Sequence, residues 1–355
     1  MEMSIDNIES LWTDIESGLK DILAGKSMTK QRFSQLYNKI YTSCTDLDST
    51  KTVVEKSESS DPRVKLTYEG KMVYDLIERY LTNYLNNVLN DMFTIDDDEI
   101  IEYYIEQWKS YCEASKNIDR VFYYLNRYYI PRRIDEGCTD TFFISVLTNL
   151  IWFNVVFAKI EDKLIGSMIN IISIDRNGAD HKYKKNMTPI ISCIFDLSKI
   201  MPFSKNSPLY LYQTYFEDRY IEISKNYYKN ESETRLLRLT CAEYVAWSDA
   251  IIKSERYRCR NYISSTSEDV VLFAICKVLV LEHIDIYKSD FTRLLHQQNS
   301  NIDDLSILYN ILTLVPSSIK TFANILEDEM CLVGNENYED WLTKTTEKEP
   351  ILPIN

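Results

Sequence analysis

Glycine and proline are scarce in this chain, 7 and 8 residues of 355, far below the roughly 7 % and 5 % of average proteins. A sandwich or barrel of many strands needs such residues at each of its turns, so the shortage argues against those folds and for long helices. No two glycines lie closer than seven residues, and neither Gly-x-Gly-x-x-Gly nor a P-loop is present. A backbone cradle for phosphate is therefore not expected. Histidine is scarcer still: His181, His283 and His296 stand far apart. Glu282-His283 lacks the second histidine of a helical zinc motif. Eight cysteines are present with no Cys-x-x-Cys among them, which removes the usual zinc and thioredoxin signatures. No cofactor or metal is expected, and the chain does not read as an enzyme.

Positive charge is also in deficit. Forty Lys+Arg face 54 Asp+Glu, for a formal charge of −14, so nucleic acid is not an expected partner, because phosphate binding needs clustered cations. The one compact basic cluster, His181-Lys182-Tyr183-Lys184-Lys185, reads as a solvated face. Met1–Glu9 carries acids instead of the basic and apolar segments of a secretory leader, so reduced thiols in cytoplasm and nucleus are expected. Thr141–Ala158 is uncharged over 18 residues, at the lower edge of a bilayer span. Its Ser145, Thr148, Asn149 and Asn154, and the charges that follow at once, make it a buried bundle helix, with no membrane partner.

Helical periodicity, by contrast, is abundant. Ile8, Leu11, Trp12, Ile15, Leu19, Ile22 and Leu23 recur at three- and four-residue intervals, and Gly25 closes that helix. Ser27 and Thr29 offer N-caps for a second helix to about Cys44. Asp46–Pro62 reads as a loop, and Tyr68–Met92 as a long helix. Asp96–Glu99 reads as an acidic helix start rather than a calcium loop, whose spacing and central glycine it lacks. Glu99–Ala114 and Lys116–Ile130 follow, the latter ending at Pro131. Asp140–Ile174, Met187–Met201, Leu209–Tyr228, Glu233–Ser264, Asp269–Gln297 and Asp303–Met330 continue the pattern, and a polar tail begins at Asn335. The fold class is all-α, and successive bundles of similar size predict a helical array. Tyrosine, at 26 residues, supplies large side chains for cores and contact surfaces.

Two segments carry a resemblance to a known family. Lys26–Thr45 (KSMTKQRFSQLYNKIYTSCT) holds Leu-Tyr-x-x-x-Tyr-x-x-Cys and resembles the second helix of a cullin. Tyr104–Tyr111 followed by Phe122–Ile130 is similar to the fourth and fifth helices of the same bundle. Matches continue in order through Trp152–Phe157, Asp175–Gly178, Tyr215-Phe-Glu217, Tyr227-Tyr228, Glu243-Tyr-Val245, Glu255-x-x-Arg258 and Asp304-Leu305, to about residue 326.

The resemblance is nearest to the SCF-type cullin, which takes a Skp-type adaptor. It implies an elongated array of five-helix cullin repeats: repeat 1 over 1–137 for adaptor docking, repeat 2 over 138–262, part of repeat 3 over 263–334, and a polar tail over 335–355. The C-terminal cullin homology domain is expected to be lacking, so a RING-box protein would join only through a domain beyond this chain. The implied function is a non-catalytic scaffold arm holding a Skp-type adaptor with its F-box protein. A truncated decoy paralogue, a cullin using a BTB-type adaptor and an unrelated helical enzyme stay open as alternatives. Family docking on the second and fifth helices maps to Phe33, Ser34, Tyr37 and Tyr41 on one and to Tyr124 on the other; helical spacing adds Arg120 one turn and Asn117 two turns before Tyr124 on the same face. Leu36, Ile40 and Leu125 are expected in the core, and Asn126-Arg127 as a brace.

Overall fold

The computed structural model describes residues 2–45, 62–200, 207–296 and 302–346, and every regular element among them is helical. The expected loop over Asp46–Pro62 lies, apart from Pro62, outside the described residues. The helices gather into two compact units, Met1–Phe216 and Glu217–Asn355.

The first unit begins with α1 (Glu2–Leu23), which buries Ile15, Leu19, Ile22 and Leu23. Gly25 ends it at φ +69°, a left-handed conformation that glycine adopts without a Cβ penalty. Its N–H bonds to the Ile22 carbonyl and that of Lys26 to the Asp21 carbonyl, both at 3.0 Å, the paired C-terminal closure of a Schellman motif. Thr29 then caps α2 (Lys30–Thr45), its Oγ1 accepting the Arg32 N–H at 3.2 Å. The two helices approach closely where Gly18 faces Leu36, since a Cβ there would overlap the leucine's methyl groups.

Next come α3 (Pro62–Thr94) and α4 (Ile100–Val121). The sequence places a helix boundary between Ala114 and Lys116, but the structure moves it to Phe122. Ala114-Ser115 contains no breaking residue. Ser115 Oγ shares a 2.5 Å hydrogen bond with the Thr148 hydroxyl, so it braces the neighbouring helix. A π-helical turn (Leu125–Tyr129) runs directly into α5 (Ile130–Asp135), so Pro131 does not end the helix. Proline removes one i→i−4 bond and crowds the carbonyl four residues back; it stands here just after a widened turn and in the first residues of α5, where that cost is smallest.

α6 (Ile144–Trp152), a π turn (Phe153–Phe157) and α7 (Ala158–Arg176) form one continuous helical run. The run is long and apolar enough to cross a membrane by composition, yet Ile144, Leu147, Ile151, Trp152, Val155, Val156 and Phe157 are all buried within the bundle, as the interrupted apolar pattern predicts. Its start is capped from a distance. Asn126 Oδ1 accepts the Ile144 N–H at 2.9 Å and Asp119 Oδ1 the Ser145 N–H at 3.1 Å, while Asn126 Nδ2 donates to Asp119 Oδ1 at 2.9 Å. Asn126 therefore braces the helix after its own. Beneath it Trp152 donates to the Tyr104 hydroxyl at 3.0 Å and lies 5.0–5.7 Å, centroid to centroid, from Tyr104, Trp108 and Tyr111.

The acidic and basic runs meet, while Lys182 and Lys185 stay exposed as expected of a solvated basic face. Asp98 lies 3.9 Å from His181, Glu99 3.7 Å from Lys182, and Asp97 3.5 Å from Lys163. Lys184 pairs with Asp175 at 2.5 Å. Glu99 makes no side-chain cap bond to α4. α8 (Met187–Ile200) and the short α9 (Tyr210–Tyr212) complete this unit's described helices, and the π turn Gln213–Glu217 leads into α10 (Asp218–Leu236).

In the second unit the helix read as starting at Glu233 starts instead at Cys241: α10 runs to Leu236, and Thr240 with Glu243 forms a capping box for α11 (Cys241–Asn261). The expected single helix Asp269–Gln297 is divided. α12 (Glu268–Cys276) passes through a π turn (Lys277–Leu281) and breaks at Glu282-His283 before α13 (Ile284–His296). α14 (Ile302–Thr313) ends ahead of Pro316, which opens α15 (Pro316–Thr346). That last helix extends well into the stretch read as a polar tail. The Glu255 carboxylate is fully buried here. It accepts from both the Tyr220 and Tyr228 hydroxyls and, at 2.7 Å, from Arg258 Nη1.

Candidate partner-docking surface

α2 presents two faces. Leu36, Ile40 and Cys44 are buried at 1 %, 0 % and 3 % exposure, spaced four residues apart along the core side. Phe33 and Tyr37 are half-buried, Ser34 is exposed and Tyr41 is 45 % exposed, forming the edge that adjoins it. The core expectations for Leu36, Ile40 and Leu125 hold, since all three are buried.

Two substructures lie along this edge. At the start of α2, the α1–α2 turn and the C-terminal half of α4 enclose an open groove of about 620 Å³. Ile22, Met28, Phe33 and Ala114 contribute its apolar surface, and Ser34, Asn117 and Arg120 its polar rim. Further along, Tyr41 packs edge-to-face on Tyr124 (5.2 Å between centroids, 87°), and Tyr124 in turn lies 4.8 Å from Tyr128. Such ring pairs contribute about 0.5–1.5 kcal/mol beyond the area they bury. Burial, then the neighbouring Cys44, Tyr41, Tyr128 and Tyr37, pushes the Tyr124 hydroxyl above its ordinary value of 10.0. It stays neutral and able to donate at any physiological pH.

The structure thus brings together Phe33, Ser34, Asn117 and Arg120 in one groove, and Tyr41 and Tyr124 in one ring contact, with Tyr37 between them on α2. Two details differ from the sequence reading. Asn117 and Arg120 belong to the last turns of α4 and only Tyr124 lies beyond the Phe122 break, so the three do not share one straight helix. Tyr124 is 7 % exposed and supports Tyr41 from beneath rather than standing open. The sequence reading missed Tyr128, 44 % exposed with the Arg127 guanidinium 5.4 Å from its ring centre. It also missed Met28 and Lys30 at the groove's other wall. Tyr128 lies four residues after Tyr124, a spacing that signals a shared helical face. Among the described residues no cluster of His, Cys, Asp and Glu could hold a metal ion, and all eight cysteines are free thiols.

The chain is 27 % identical over 335 residues to Cullin-1 of Dictyostelium discoideum, covering 92 % of this chain and 42 % of the relative. It is 24 % identical to Cullin-1 of Schizosaccharomyces pombe (91 % and 42 %) and 22 % identical to Cell division control protein 53 of Saccharomyces cerevisiae (91 % and 40 %). It spans about two fifths of the length of these curated relatives. The family model described as the Cullin alpha solenoid domain matches residues 12–351, and with that match over nearly the whole sequence the chain belongs to the cullin family.

Proposed function

We propose that this chain is the N-terminal scaffold arm of an SCF-type cullin–RING ubiquitin ligase, a non-catalytic support that docks a Skp-type adaptor carrying an F-box substrate receptor. The observation that carries the reading is the joined surface of Phe33, Tyr37 and Tyr41 with the Asn117–Arg120 groove and the Tyr124–Tyr128 ring pair. Half-buried aromatic side chains beside an arginine are the kind of group that dominates binding energy. The similarity to proteins named Cullin-1 supports the adaptor class. In this reading residues 1–137 are the docking repeat, 138–262 the second repeat and 263–334 part of a third. The RING-box protein and ubiquitin transfer belong to the remaining length of a complete cullin, and the working compartments are cytoplasm and nucleus.

Calorimetric titration with a purified Skp-type adaptor bound to an F-box segment, with a BTB-type adaptor in parallel, tests this. One-to-one binding to the Skp-type adaptor alone is expected. Replacing Phe33 and Tyr37 together by Ala should weaken it by about 2 kcal/mol or more, roughly 30-fold, with helicity unchanged. No heat with the Skp-type adaptor, or full affinity in a folded double variant, would remove the reading or the site.

A further inference from the structure

The docking edge is electropositive in a chain of net charge −14. From Lys20 to Thr45 there are five basic residues and one acid, and α2 contains no Asp or Glu at all. Some of that charge is neutralised internally. Lys39 pairs with Asp14 on α1, Lys26 with Asp21 at 2.8 Å, and on the opposite wall Glu113 with Lys116 at 2.6 Å. Lys30 and Arg120 are different. Both line the groove, both are exposed, and neither has an ion-pair partner among the described residues. They flank a floor built from Ile22, Met28, Phe33 and Ala114. An open groove with an apolar floor and two unneutralised cations at its walls complements one kind of segment: a large apolar side chain with carboxylates beside it.

Resting on the docking function proposed above, we infer that the partner enters this groove with an acidic segment that inserts an apolar side chain over Phe33 and Met28 and sets its carboxylates against Lys30 and Arg120. Tyr41, 45 % exposed and held from beneath by Tyr124, then gives contact area, while the groove gives charge selection. Attraction between exposed charges is screened beyond about 10 Å at 0.1 M salt and about 3 Å at 1 M, so this part of the binding is salt-sensitive. It also steers the encounter with an acidic partner surface.

The test is titration of the full chain against the Skp-type adaptor with its F-box segment at 0.1 M and 1 M KCl. It compares the wild type, Lys30→Glu/Arg120→Glu, and a control, Lys229→Glu/Lys320→Glu, which makes the same change in net charge at exposed positions of the second unit. The groove reversal is expected to weaken binding by about tenfold or more at 0.1 M and by under about threefold at 1 M, with the control near wild type. Circular dichroism checks helicity. If the reversal disturbs it, Lys30→Gln/Arg120→Gln should show the same salt-dependent loss at roughly half the logarithmic size. Wild-type binding with no difference between reversal and control overturns the charge assignment and leaves the docking site standing. Absence of wild-type binding overturns the docking reading itself, and this inference with it.

Discussion

Glu255 offers the sharpest test of how the second unit is held together. Its carboxylate is 0 % exposed and faces three donors: the Tyr220 and Tyr228 hydroxyls from α10, and Arg258 one turn along α11. Replacing it by Ala removes the Glu255 carboxylate from a guanidinium at 9 % side-chain exposure and from two tyrosine hydroxyls. Breaking a buried pair from one side costs about 3–5 kcal/mol, a large share of the roughly 5–15 kcal/mol that keeps a domain folded. Removing charge from both sides is a different perturbation. Glu255→Met with Arg258→Met removes both members of the pair, and such replacements are often neutral, so the double variant should be more stable than Glu255→Ala. Hydrogen exchange read peptide by peptide reports the outcome. Amides in α10 and α11 should exchange roughly a hundred- to several-thousandfold faster in Glu255→Ala, at about tenfold per 1.4 kcal/mol. Amides of α4 and α6 in the first unit should hold their wild-type rates. A change under tenfold in α10 and α11, or a double variant less stable than the single, would refute the argument.

Two further outcomes follow from features of the first unit and the thiols. Asn126→Ala should cost about 0.5–2 kcal/mol, the usual effect of losing a helix cap, because Oδ1 is the acceptor of the Ile144 N–H. Faster exchange is expected at Ile144–Thr148, and unchanged exchange there would exclude the cap. Among the cysteines Cys331 is exposed, whereas burial pushes the Cys112, Cys193 and Cys276 thiols up to about 12. At pH 8 only about one such thiol in ten thousand is ionised, so iodoacetamide with mass-spectrometric mapping should modify Cys331 first and leave those three unmodified in the folded protein.

The class of fold was legible from the shortage of Gly and Pro, and two local signals were read correctly, Gly25 closing α1 and Thr29 capping α2, whereas Pro131, read as a stop, lies within a continuing helix. The errors fall at helix boundaries and at contacts between distant segments. Nothing in Glu282-His283 advertises a break between α12 and α13. The start of α11 depended on a Thr240–Glu243 capping box that a continuing hydrophobic pattern concealed. The pairing of Asp97–Glu99 with Lys163, His181 and Lys182 joins segments more than sixty residues apart, which no local window detects. At the candidate docking edge the resemblance pointed to α2 and Tyr124 and helical spacing to Arg120 and Asn117, while the absence of ion-pair partners for Lys30 and Arg120 among the described residues needed the neighbouring ion pairs to be seen.

The recurring π turns at Leu125–Tyr129, Phe153–Phe157, Gln213–Glu217 and Lys277–Leu281 carry a consequence for how these sequences tolerate insertion and deletion. An α-helix advances about 100° per residue, and a π turn accommodates one residue beyond that count without breaking the rod. Each turn therefore acts as a phase offset between the segments on its two sides. Take Phe153–Phe157: losing one residue there would restore uniform α winding and leave Ile160, Leu164, Ile165 and Met168, all buried on α7, facing as they do now, whereas losing one from the regular α-helical turns of α6 or α7 would rotate the two buried sides by about 100° relative to each other. Single-residue deletion should accordingly be best tolerated at the π turns, at sites that look from periodicity alone like ordinary helix.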